Sequence, residues 1–148
     1  MIDRIPAGSE VAELRERIGL TQSQMAEIMG LSLSTWQRKE SDNAKKLVET
    51  KIAEFNFLLL LAGLHPEYQL GNRDLENVLK RKSTAPEVTA LREKLGLSRE
   101  AMAKLFGYSL SGWSSKENPN RDGSLNVGEF NFLQLLAGMH ASMDLIAL

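Results

Sequence analysis

The chain has 148 residues, 43% of them hydrophobic and 25% charged, with a net charge of −1 and no cysteine. Those values fit a globular chain of one ordinary domain or two small ones, and they exclude a disulfide framework, thiol catalysis and cysteine-ligated zinc. Residues 1–10 carry no apolar signal core, and the longest apolar run, Phe57 to Leu64, falls far short of the roughly 20 residues a membrane span needs. The chain is read as soluble and cytoplasmic, with no membrane partner.

In chain order, Val11, Leu14 and Ile18 fall at helical spacing, with Ser9 as the expected N-cap and Gly19 as the left-handed residue that ends the helix. Thr21 with Gln24 forms a capping box for a second helix carrying Met25, Ile28 and Met29. Gly30 marks a sharp turn, and Ser32 caps a third helix of about residues 32–41. Ala26 is small enough to let the two helices cross closely, while Leu31 and Trp36 face inward. From Trp36 to Lys51 the chain is locally basic: Arg38, Lys39, Lys45, Lys46 and Lys51 stand against Glu40, Asp42 and Glu49. Such a stretch can meet phosphates while the rest of the surface stays acidic. Phe55, Phe57 and Leu58 to Leu61 read as core. A polar connector follows at 71–82, in which Asp74 to Lys80 is spaced for a short helix.

The pattern then returns. Val11, Met25 and Trp36 reappear as Val88, Met102 and Trp113, all at one offset of 77. Past Glu40 the offset becomes 75, so that Glu54-Phe-Asn-Phe-Leu matches Glu129-Phe-Asn-Phe-Leu and His65 matches His140. Two copies at so long a period indicate a duplicated domain rather than a solenoid. We place the units at 1–70 and 83–148, and read the fold as all-α because strand-type alternation is nearly absent. Thr84 with Glu87 caps the first helix of the second unit, and Gly96 ends it.

Two short helices joined by a glycine-containing turn make a helix-turn-helix. The residues Leu14-Arg15-Glu16, Gly19-Leu20-Thr21-Gln22, Met25-Ala26-Glu27-Ile28-Met29-Gly30-Leu31-Ser32, Thr35-Trp36 and Glu40 resemble the Cro/XRE class of phage-repressor-like helix-turn-helix domains. The resemblance covers about 30 residues of each unit and implies two such domains in tandem, with double-stranded DNA as partner. It further implies that the recognition helix enters the major groove. Ser32, Leu33, Ser34, Thr35, Gln37 and Arg38 then lie at or near the groove. Gln22 matches the position that clamps a phosphate and buttresses base contacts. Arg38 suits guanine, Gln37 adenine and Leu33 a thymine methyl. Lys39, Lys45 and Lys46 are expected on phosphates.

In the second unit, with its recognition helix at about 109–118, Gln22 becomes Arg99, Gln37 becomes Ser114 and Arg38 becomes Ser115. Ser109, Leu110 and Ser111 keep the frame, with Arg99 and Lys116 expected on phosphates. Either each unit reads its own half of an asymmetric operator, or only the first reads DNA and the second serves assembly. The apolar C-terminus (Met139, Met143, Leu145, Ile146, Leu148) suits a homodimer contact or packing onto the second unit, and both stay open.

Enzyme readings find no support. The chain has no glycine-rich phosphate loop, no nucleophile elbow and no histidine pair at metal-ligand spacing, so no cofactor or metal is expected. Both histidines follow Ala-Gly at a helix end, where a hydrogen-bonding or cationic group complements terminal carbonyls. The rival reading is an antitoxin-like module that uses the same scaffold for a protein partner; the near-neutral charge favours it, but the connector is too short to wrap a partner.

Overall fold

A computed structural model describes residues 1–121 and 123–148. Its elements are α1 (Gly8–Ile18), α2 (Gln22–Ile28), α3 (Leu33–Lys39), α4 (Ile52–Ala62), β1 (Tyr68–Gly71), α5 (Ala85–Leu95), α6 (Arg99–Phe106), α7 (Leu110–Lys116), α8 (Val127–Leu136) and β2 (Asp144–Ala147). The molecule is mostly helical. A small antiparallel sheet, in which Tyr68 stands opposite Ala147 and Gly71 opposite Asp144, adds to the expected helices.

The local signals work as the residues dictate. Thr21 Oγ1 accepts from the Gln24 N–H at 3.1 Å while Gln24 Oε1 accepts from the Thr21 N–H at 2.9 Å, which satisfies two free donors at the start of α2. Ser32 and Ser109 accept from the Thr35 and Gly112 N–H groups. Gly19 and Gly96 end their helices at φ 90 and 70. Three expectations need correction. The N-cap of α1 is Ala7, not Ser9. Gly8 lies so close to the chain at Ser41 that a Cβ would sit 2.3 Å from the Ser41 carbonyl oxygen, and the Ser9 N–H is capped from a distance by Asp42 Oδ1 at 3.0 Å. Asp74 to Lys80 forms a turn, not a helix: Asp74 accepts from the Asn77 N–H, and Asn131 fixes the Leu79 backbone. Finally, neither histidine binds helix-end carbonyls. His65 Nδ1 accepts from the Glu67 and Tyr68 N–H groups, and His140 Nδ1 from those of Ser142 and Met143.

That bonding makes the imidazoles donors at Nε2, to Asn56 Oδ1 at 2.7 Å and Asn131 Oδ1 at 2.8 Å. The two asparagines are fully buried. Asn56 also bonds the N–H and C=O of Ile2, as Asn131 bonds those of Leu79. In each half, one polar side chain inside an apolar helix therefore ties down the segment leading into the first helix. The same segments carry Arg4 and Arg81, which pair with Glu10 and Glu87 and lie over the rings of Phe55 and Phe130.

The core runs through both halves. Helix α4 is buried from Ala53 to Leu61, as its nearly all-apolar sequence demands, because α1 covers one side and α8 the other. Gly128 permits the approach of α8: a Cβ there would lie 2.9 Å from Glu54 Cγ. The turn glycines lock the same interface. Gly30, at φ +66, abuts Val127, and Gly107, at φ +76, abuts Ile52. Part of the apolar C-terminus is used internally, with Met143 buried and Leu145 paired across the sheet. Met139, Ile146 and Leu148 remain exposed.

Candidate nucleic-acid interface

The face presented by α3 follows from what its other side buries. Trp36 is wholly buried, so the helical period turns Leu33, Ser34, Gln37 and Arg38 outward, and all four are exposed. Behind this face stands Glu40. It accepts Arg15 Nε at 2.7 Å and Arg15 Nη2 at 3.1 Å, the buried Trp36 indole N–H, and Gln22 Nε2 at 3.1 Å. Burial alone would push this carboxyl up; the hydrogen bonds from Arg15, Gln22 and Trp36 outweigh it and hold the group below the usual carboxylate range. Gln22 Oε1 in turn accepts from Gln37 Nε2 at 3.3 Å. A chain of contacts thus runs from the core, through Glu40 and Gln22, to an exposed amide on α3.

At the end of α3 the structure sorts the basic residues. Arg38 Nε donates to the Lys46 carbonyl at 2.8 Å, which draws the guanidinium toward exposed Lys45 and Lys46 rather than leaving it free along the helix. Lys39 falls outside this cluster. Its ammonium is buried against Glu54 Oε1 and the Glu49 carbonyl, both at 3.1 Å. Expected on a phosphate, Lys39 is instead a core residue, because the buried Glu54 carboxylate would be an uncompensated charge without its ammonium.

The second half builds the same frame with other chemistry. Trp113 is buried and Leu110 and Ser111 are exposed. Glu117 accepts Arg92 Nε at 2.8 Å, Thr89 Oγ1 at 2.9 Å and the Trp113 indole N–H at 2.5 Å; these outweigh burial and keep its carboxyl low. Arg99, exposed, reaches Glu117 only through Nε at 3.4 Å. Ser115 Oγ is spent on the Ser111 carbonyl, and Ser114 is half-buried. Lys116, expected on a phosphate, turns inward over the Tyr108 ring and toward the Ser124 carbonyl. Tyr108 occupies the place of Leu31 and donates to buried Glu129, whose carboxyl is pushed up by burial. One carboxylate position is therefore served by a lysine in the first half and a tyrosine in the second.

Residues 3–63 match the family model of the antitoxin Xre-like helix-turn-helix domain. The match spans α1 to α4, about two-fifths of the chain, and within it α2 and α3 form a helix-turn-helix. No curated protein and no solved structure matches the chain. No helix among the described residues is long and apolar enough to cross a membrane, and no group of three or more His, Cys, Asp or Glu could hold a metal ion there. Arg15 and Glu40 both lie within the helix-turn-helix pattern of the first copy. Their pairing, repeated by Arg92 and Glu117, was foreshadowed by the shared offset. Asn56 and Asn131 have no local motif to mark them; their one sequence signal is a polar residue kept twice inside an apolar run.

Proposed function

We propose that the protein is a sequence-specific DNA-binding regulator, acting by steric repression, that applies two helix-turn-helix units held in one core. The observation that carries this reading is the exposed α3 face braced from behind: Gln37 is held by Gln22, and Gln22 by the buried Glu40 hub. A reader whose amide is pre-positioned loses little side-chain entropy when it meets a base edge. Ser32 and Thr35 shape the start of the helix, Leu33 and Ser34 meet the groove, and Arg38, Lys45 and Lys46 neutralise phosphates. The second unit applies Leu110, Ser111, Ser114 and Arg99, with Ser109 as cap. Its recognition helix carries serines, Ser114 and Ser115, where the first has Gln37 and Arg38, so the operator has two unequal halves.

Selection of duplexes from a random library tests the reading. Wild type enriches a bipartite motif, and Gln37→Ala/Arg38→Ala relaxes one half of it. Failure to enrich any motif at moderate salt refutes it. A second reading has its own observation: the matched family is described as an antitoxin domain, and the net charge is −1 where DNA binders are usually basic. On that reading the same surface takes a protein partner.

A further inference from the structure

We propose that Arg99 is a specificity-determining residue that selects a guanine, not a phosphate anchor. The inference rests on the DNA-binding reading above and assigns the chemistry of its second half-site.

In the first half, the junction between the start of α2 and the face of α3 is filled by two amides, Gln22 and Gln37, in contact at 3.3 Å. The corresponding positions in the second half are Arg99 and Ser114. Ser114 ends at its hydroxyl, and the space an amide would take is a shallow depression between α6 and α7, lined by Arg92, Ser98, Arg99, Glu100, Leu110 and Ser114. The Arg99 side chain is 53% exposed beside this depression. Its one hydrogen bond among the described residues is the long one from Nε to Glu117, a carboxylate already committed to Arg92, Thr89 and Trp113. Both terminal nitrogens are thus left without a protein partner, while the Nε contact orients the guanidinium plane.

Helix α7 offers only short side chains at Ser111, Ser114 and Ser115, and the last is bonded to its own helix. A helix with short side chains seats deep in a major groove, and the long residue from the neighbouring helix then reaches the base edges. Two parallel N–H donors on a planar fork match the N7 and O6 acceptors of guanine, a geometry lysine does not reproduce.

The experiment is selection from a random duplex library at fixed salt with the full chain, comparing wild type, Arg99→Lys, Arg99→Ala and Arg99→Gln/Ser114→Gln, each checked for an unchanged thermal midpoint. Arg99→Lys keeps the charge and loses the fork; it is expected to lose about tenfold in preference for guanine at a single position of the second half-site, with the rest of the motif intact. Arg99→Gln/Ser114→Gln shifts that half toward the sequence of the first. The proposal is overturned if Arg99→Lys retains every preference and Arg99→Ala weakens binding equally on all sequences, with the salt slope reduced by about 1 as for a lost phosphate contact. If wild type enriches no motif, the DNA reading itself fails and this inference with it, an outcome visible before any variant is tested.

Discussion

Replacing Glu40 with alanine tests whether the exposed α3 face is held by the buried hub. The change removes the acceptor for the Trp36 indole, which is fully buried, and for Arg15, whose side chain is 15% exposed. An orphaned buried donor costs about 1–3 kcal/mol. Breaking a fully buried ion pair costs about 3–5 kcal/mol, but Arg15 can turn partly toward water, which brings that contribution to about 2 kcal/mol. The combined loss is about 3–5 kcal/mol, or roughly 6–20 °C in melting midpoint for a chain of this size. Glu40→Gln keeps one acceptor and loses about half as much. Urea unfolding of the two variants, with Arg15→Ala and the double variant completing a cycle, measures both the loss and a coupling of about 1–2 kcal/mol. A Glu40→Ala loss below about 1 kcal/mol, or strict additivity with Arg15→Ala, refutes the hub.

Gly30→Ala forces a side chain into a left-handed residue and places Cβ 2.6 Å from Val127 Cγ2; a loss of about 2–4 kcal/mol in urea unfolding is expected. Lys39→Met/Glu54→Leu removes a buried pair outright and should leave the salt dependence of DNA retention unchanged, whereas Lys45→Ala/Lys46→Ala lowers its slope by about 2. Burial holds both histidines below their usual value, so the unfolded chain takes up protons near pH 6.5 that the folded chain refuses. Their contribution to stability is present above about pH 6.5 and is lost as pH falls through their folded values. The unfolding midpoint of wild type should therefore drop further between pH 7.5 and 5 than that of His65→Gln/His140→Gln. Glu129, raised by burial, slopes the opposite way equally in both proteins, so the difference between them is the quantity to read. Heteronuclear NMR at pH 7.5 should show Nε2–H tautomers at both rings, and protonated Nδ1 at either would sink that assignment.

The helices and their caps were legible because each depends on residues within one turn: Thr21 with Gln24, Thr84 with Glu87, Ser32 with Thr35. The outward positions of Leu33, Gln37 and Arg38 followed from a single buried Trp36. What failed depended on distant partners. Nothing near Lys39 announces that Glu54 will accept its ammonium, and nothing near Ser9 announces Asp42. The strands at 68–71 and 144–147 are too short to show alternation, and each exists only because the other pairs with it.

The dependence of α4 on α8 bears on the order in which the chain acquires structure during synthesis. Helix α4 is complete at Ala62, but the helix that covers its second side ends at Leu136. At about 5–20 residues per second, a nascent chain presents the Phe57–Leu61 surface for roughly 4–15 s before its cover is translated. A ribosome-associated chaperone would meet that surface first, and slow codons between α4 and α8 would lengthen the window.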